Sequence, residues 1–144
     1  MSTVTKTDKL NFQIPAKSDY VGVIRLAVSG IASRMEFTIE KIEDIKIAIS
    51  EACTNVVLYA YDTDENPGIE VQCIIHIDKL EITIKDQGKG FNLNEITDKK
   101  EVSTNELSAS SLGLGITFMK NLMDSVDITT SPNQGTSIKM SKLL

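Results

Sequence analysis

A chain of 144 residues, 41% hydrophobic and 24% charged, is long enough for one domain with a buried core and is not disordered in composition. A formal net charge of -5 argues against the dense positive charge that nonspecific nucleic-acid binding needs. The apolar runs fall well short of the roughly 20 residues that cross a bilayer, and Met1–Leu10 lacks the apolar stretch of a signal peptide.

Residues 1–9 are mostly Thr, Lys, Ser and Asp and read as a flexible tail, with one domain expected over 10–144. Leu10, Phe12 and Ile14 alternate with Asn11 and Gln13, which predicts a short strand ended by Pro15. Ser18 or Asp19 offers a cap for a helix over Tyr20–Ser33, with Val21, Ile24, Val28 and Ile31 as its apolar stripe. Thr38 offers a cap for a longer helix over about Ile39–Tyr61, with a stripe of Ile42, Ile45, Ile49, Cys53, Val56 and Ala60. The stretch 62–68, DTDENPG, reads as a turn. Alternation over Ile69–Ile77 and again over Leu80–Ile84 predicts adjacent antiparallel strands. The stretch 101–112, EVSTNELSASSL, has no sustained period, and a loop of such length in a small domain suggests a mobile binding lid at about 91–112. A helix over Gly115–Asp124 follows, then a hairpin of Ser125–Thr130 and Thr136–Met140 turned by SPNQG. The order predicts an α/β (α+β) two-layer sandwich, one sheet covered by helices on one face. Cys53 and Cys73 sit in apolar surroundings, outside any closely spaced metal set, and read as buried free thiols in a reducing, cytoplasmic compartment.

Glu51 and Asn55 are one helical turn apart and share a face nearly opposite the main stripe, yet Ile47 and Leu58 flank that face, so the pair is set in a second, partly covered surface. An Asn oxygen can ligate a hard cation, and a carboxylate beside it can accept a proton. Period two puts Asp86 on the same inward side as Leu80, Ile82 and Ile84, at the strand's end. A carboxylate there needs a partner, and the exocyclic amine of adenine is one. Gly88 and Gly90, in DQGKG, lack side chains where backbone and ligand approach closely. Gly113, Leu114 and Gly115, in LGLG, would place backbone N–H groups at a helix start, where phosphate oxygens can be cradled. Thr136 could add a hydroxyl. Alone, each piece has a plain structural reading: a surface pair, an Asp-Gly-rich turn, a hinge before a helix. In this order they form one coherent nucleotide site.

EACTN at 51–55, DQGKG at 86–90, GLG at 113–115 and the Gly135-Thr136 pair resemble the motifs of the ATPase superfamily that joins gyrase B, the ninety-kilodalton heat-shock chaperones, MutL and sensor histidine kinases. The stretches 20–35, 42–61 and 114–124 resemble one branch, the bacterial anti-sigma factor serine kinases of the RsbW/SpoIIAB-like type, over nearly the whole of 10–143. The resemblance implies a Bergerat-type histidine kinase-like ATPase fold with a mixed, mainly antiparallel sheet. It implies ATP and Mg2+ as cofactors, with Asn55 on the metal, Asp86 on the adenine amino group, Glu51 as general base, Gly113 and Gly115 against the phosphates and Thr136 at the adenine end. It implies a sigma factor and a small anti-sigma factor antagonist as partners, a serine of the latter as phosphate acceptor, and a homodimer, with no direct nucleic-acid or membrane contact. The chain departs from the branch at Tyr59, where RsbW has a histidine, and the stretch 101–112 has no Arg or Lys. A partner-switching module with reduced or lost kinase activity, or an ATP hydrolase, are the other readings. Arg25, on the first helix, is a candidate partner-facing charge.

Overall fold

A computed structural model describes residues 7–61, 68–91 and 107–144, with the side chains of the last segment described from Gly113 onward. The expected turn at 62–67 and most of the expected lid, residues 92–106, lie outside the described residues.

Strand β1 (Asp8–Pro15) leads into helices α1 (Ser18–Ser33) and α2 (Ile39–Asn55); α2 continues as a π-helical turn over Val56–Ala60. Strands β2 (Gly68–Ile75) and β3 (Lys79–Asp86) precede helix α3 (Leu107–Leu122), and β4 (Ser125–Thr130) and β5 (Thr136–Leu143) close the chain. The sheet order is β1-β2-β3-β5-β4, with every neighbouring pair antiparallel. The helices cover one face, as the alternation implied: Ile69, Val71 and Cys73 on β2, Leu80, Ile82 and Ile84 on β3, and Ile138 and Met140 on β5 are buried, while their neighbours are more exposed.

Helix α2 is the centre of the helical layer. Thr38 caps it, its hydroxyl accepting the Lys41 N–H at 3.2 Å, and Ile45, Ile49, Cys53, Val56 and Ala60 form the buried stripe against the sheet. Ile24, Val28 and Ile31 bury α1, and Ile116, Met119 and Met123 bury α3 and its exit. Each fully buried aliphatic side chain contributes about 1.5–3 kcal/mol, which an aromatic-poor core must draw from many such residues. Both thiols are buried, and burial pushes Cys53 and Cys73 up to about 12. Among the described residues no helix is long and apolar enough to cross a membrane.

Several boundaries differ from expectation, among them β5, which runs to Leu143 rather than Met140, and β2, which ends at Ile75 rather than Ile77. Strand β1 starts within the expected tail, because Asp8 and Lys9 pair with Ile75 and Ile74. Helix α1 takes Lys17 as its N-cap position, with no side-chain cap bond from Ser18 or Asp19; Asp19 sits in the first turn, where its charge suits the helix dipole. The largest difference is α3, which starts at Leu107 rather than Gly115. No proline interrupts 107–115, and the burial of Ile116 and Met119 further along holds a helix that its Ser and Gly residues do not favour on their own.

Candidate functional site

Period two along β3 delivers Asp86 to the helix-covered side at the strand's last position, where it is 7% exposed. Its Oδ1 accepts the Gly88 N–H at 2.8 Å. Burial raises the Asp86 pKa above the ordinary carboxylate value, and hydrogen bonds from the backbone of Gly88 and Thr136 offset part of that rise. Thr136 stands opposite Asp86 in the β3–β5 register and is also buried. Its hydroxyl is 2.9 Å from that of Thr130, which accepts the Phe91 N–H at 3.1 Å. Thr130 thus fixes the Thr136 rotamer. It escaped the sequence reading because a Thr in an edge strand carries no signal of its own.

The end of α2 faces the same space. Asn55, Asp86, Gly90 and Thr136 line one cavity, partly open to solvent, together with Ala52, Val56, Tyr59, Ala60, Phe91 and Ile138. The sequence therefore led correctly to a joint pocket for the helix-borne amide and the strand-end carboxylate, but it did not identify the apolar wall. The Asn55 Nδ2 atom is buried and has no hydrogen-bond partner among the described residues, a costly state for an amide unless a ligand completes it. The π-helical turn begins immediately after Asn55 and puts Tyr59 into the lining; such widened turns recur at functional sites.

The glycines serve a purpose that the sequence did not reveal. A Cβ on Gly88 would lie 2.1 Å from the Ala60 carbonyl oxygen, and one on Gly90 would lie 1.9 Å from that of Ser131. Both therefore admit neighbouring protein backbone, where the expectation was ligand; Gly90 also lines the cavity. Lys89 N–H donates to the Ala60 carbonyl at 2.7 Å, Gly135 N–H to that of Gly88 at 2.9 Å, and Asn133 N–H to that of Lys89. This lattice clamps DQGKG between the π-helical turn and the β4–β5 turn, with Gly90 at φ 65° and Gly135 at φ 75°. The Tyr61 hydroxyl extends the clamp, accepting the Gln87 N–H at 2.7 Å and donating to the Gly68 carbonyl at 3.0 Å.

Gly113, Leu114 and Gly115 do not open a helix. They lie inside α3, so in this conformation their N–H groups are committed to the helix rather than free to cradle phosphate. Gly115 nevertheless reaches the site: a Cβ on it would lie 3.1 Å from Glu51 Oε2 and 3.3 Å from Asn55 Nδ2. Leu114 points outward and is 66% exposed. Glu51 does not line the Asn55–Asp86 cavity. It opens instead on a shallow groove between α1 and α2, alongside Arg25, Leu26, Lys46 and Ile47. Carboxylate and amide thus mark two adjoining spaces, with Gly115 over both. Among the described residues no group of three or more His, Cys, Asp or Glu is placed to hold a metal ion. A single amide ligand fits a magnesium ion that takes its remaining ligands from phosphates and water.

The buried Asp86 has a consequence for stability. A carboxyl whose folded pKa lies above its unfolded value binds its proton more tightly in the folded chain. It therefore destabilises the fold as pH rises past the unfolded value and toward the folded one, and the penalty is relieved as pH falls back. Asp86→Asn is expected to hold or raise the thermal midpoint of the nucleotide-free chain at neutral pH. The difference from wild type should shrink in acid, as thermal scans across the acidic range would measure.

The family model of the histidine kinase-like ATPase domain matches residues 14–142. The serine-protein kinase RsbW of Bacillus velezensis is 41% identical over 144 residues, covering 97% of this chain and 88% of the relative. The protein of the same name from Listeria monocytogenes serotype 4b (strain F2365) is 40% identical over 145 residues, covering 97% of this chain and 90% of the relative. Among solved structures, the RsbU and RsbW domains of Rv1364c from Mycobacterium tuberculosis superpose with a TM-score of 0.69 at 18% identity, covering 95% of this chain and 32% of that one. The histidine kinase domain of Erythrobacter litoralis EL346 superposes with a TM-score of 0.57 at 17% identity, covering 91% of this chain and 62% of that one. At these identities the two structures establish the likeness of fold.

Proposed function

The chain belongs to the histidine kinase-like ATPase family, and within it to the RsbW-type serine-protein kinases; from that premise we propose that it binds Mg-ATP in the Asn55–Asp86 cavity and phosphorylates a serine of a small anti-sigma factor antagonist. The observation that carries this reading is the shared cavity, in which a buried amide nitrogen without a partner among the described residues and a buried strand-end carboxylate line one space.

In this proposal Asp86 accepts a hydrogen bond from the adenine amino group, Thr136 steadies that end of the base, and the apolar surfaces of Ala52, Val56 and Ile138 take its faces. Tyr59 and Phe91 add aromatic surface to the same walls. Asn55 supplies the one protein oxygen to magnesium, which neutralises phosphate charge and orients the triphosphate when bound. Gly88 and Gly90 act through the clamp that holds Asp86 and the cavity rim. The backbone of Gly113, Leu114 and Gly115 takes the phosphate end, which requires the first turns of α3 to release their N–H groups. Outside the cavity, on the groove side, Glu51 orients the acceptor serine. As the serine oxygen bonds to the γ-phosphorus and the bond to the β–γ bridging oxygen breaks, Glu51 takes the hydroxyl proton. ADP leaves with the electron pair of the broken bond.

A sigma factor is the other partner. It competes with the unphosphorylated antagonist for the chain, so phosphorylation of the antagonist returns the chain to the sigma factor. The groove at Arg25 and Leu26, next to Glu51, is the surface assigned to these partners, and the working unit is a homodimer.

The binding half of the proposal is tested by Asp86→Asn. The amide keeps an oxygen for the Gly88 N–H but loses the charge that strengthens the bond to adenine, which should weaken Mg-ATP by about 1.5–3 kcal/mol, a roughly 10- to 150-fold rise in Kd. Titration of a fluorescent ATP analogue measures this. Unchanged affinity would remove Asp86 from the site. Phosphate transfer from labelled ATP to a purified antagonist tests the chemical half.

A further inference from the structure

One buried charge is used by none of the chemistry above. Lys142, at the inward-facing end of β5, is 8% exposed. Its Nζ donates to the carbonyl of Leu122, the last residue of α3, and lies 3.3 Å from Asp44 Oδ2 on α2. Strand, central helix and third helix thus meet at one ammonium. A cation at a helix C-terminus satisfies an orphan carbonyl and suits the dipole.

The position of this junction matters. Helices α2 and α3 run antiparallel: Asp44 lies near Leu122 at one end, and Glu51 and Asn55 lie near Gly115 at the other. From Asp44 to Glu51 and from Leu122 to Gly115 is in each case two turns, a rise of about 10.5 Å, so the two helices keep step along the seam. Along the line of α2 that runs from Asp44 to Asn55 at helical spacing lie Ala48 and Ala52, both fully buried. Small residues allow close approach but give little resistance to sliding. The seam is pinned at the lower end by Lys142. At the upper end the catalytic pair meets a residue without a side chain, at distances of 3.1 and 3.3 Å from the position a Cβ would take. The exit of α3 is tied further, by Asp124 N–H to the Ser141 carbonyl at 2.9 Å and by Leu143 N–H to Asp124 Oδ2 at 2.7 Å; these bonds join α3 to β5 and reach α2 only by way of the strand, through the exposed Lys41, whose Nζ donates to the Leu143 carbonyl at 3.1 Å.

We propose that Lys142 is a positioning residue for the nucleotide site: by tying the last turn of α3 to Asp44 of α2, it sets the axial register of the two helices and so fixes where the Gly115 backbone meets Glu51 and Asn55. This rests on the assignment of Mg-ATP to that site.

The test compares Kd for a fluorescent ATP analogue with magnesium across full-length variants. Lys142→Met keeps the aliphatic stem and removes the charge; Lys142→Arg keeps the donors. Val28→Ala, a buried change on α1 away from the seam, serves as a control for lost stability alone. The expected result is a Kd raised about 3- to 30-fold by Lys142→Met, largely restored in Lys142→Arg, and wild-type in Val28→Ala at a comparable loss of thermal midpoint. Combined with Gly115→Ala, Lys142→Met should depart from additivity by more than about twofold, although the two sites do not touch. Wild-type affinity in Lys142→Met, or a loss equal to that of Val28→Ala, overturns the proposal. Should Lys142→Met fail to fold, Asp44→Ala removes the acceptor and cuts the tie to α2 alone: a raised Kd supports the proposal and an unchanged one overturns it. Failure of this inference leaves wild-type Mg-ATP binding and its loss in Asp86→Asn intact, whereas failure of the underlying site assignment abolishes one or both.

Discussion

Glu51→Gln is expected to lower the rate of phosphate transfer at saturating ATP by about 10²–10⁴-fold while leaving the Kd for Mg-ATP within about twofold of wild type. The separation follows from the position of the side chain. Glu51 faces the groove with Arg25 and Leu26, and the cavity that holds Asn55 and Asp86 is lined without it. In the proposed reaction its loss removes the group that orients the incoming hydroxyl and spares the walls around the base. Glutamine has the same length and fills the same space beneath Gly115, so a fall in rate would report lost proton acceptance rather than a collapsed seam. Single-turnover transfer to a purified antagonist, measured beside nucleotide titration, separates the two. A variant that transfers phosphate at the wild-type rate would dismiss Glu51 as the base, and one that loses ATP binding would place it in the cavity after all.

The second large effect concerns the fold. Gly88→Ala should destabilise the chain by about 3 kcal/mol or more, lowering the thermal midpoint by roughly 10 °C. The added methyl would meet the Ala60 carbonyl oxygen at 2.1 Å and its carbon at 2.6 Å. Both are backbone atoms, and the Lys89 N–H already holds that carbonyl in place, so no flexible side chain can swing away. Gly115→Ala makes a useful contrast. Its nearest atoms, at 3.1 and 3.3 Å, are the tips of Glu51 and Asn55, which can give. That change should cost much less stability and act mainly on the site. Thermal or chemical unfolding of both variants decides the order; if Gly88→Ala proves as stable as wild type, the packing of DQGKG against the π-helical turn is wrong.

Much of the architecture was legible because burial imposes simple periods. The stripe from Ile45 to Ala60 marked α2, and Thr38 marked its start. Alternation along Leu80–Ile84 carries the inward side through to Asp86, which lines a cavity shared with Asn55. The start of α3 was not legible. SASSLGLG has no stripe and no proline, and its two glycines suit a loop while a packed helix can still tolerate them, so packing of Ile116 and Met119 further along decides between the two. The role of Gly88 was hidden for a different reason: a missing side chain shows that something comes close, and only the fold shows that it is Ala60 rather than a ligand. Lys142 could have been found. The same period that buries Thr136, Ile138 and Met140 continues to it, but a lysine at the end of a chain looks like a solvated terminus until Asp44 and Leu122 arrive from elsewhere.

Strand β5 ties these observations to the evolution of the gene. It carries Thr136 at the end next to Asp86 and Lys142 at the end next to Asp44, with Ile138 and Met140 between them. Deleting or inserting a single codon within that stretch would put the residues on one side of the change out of phase with those on the other, so Thr136 and Lys142 could not both stay inward. Substitutions along β5 can be sampled one at a time, but its length cannot drift, so among descendants of this chain the spacing from Thr136 to Lys142 should outlast the identity of most residues inside it.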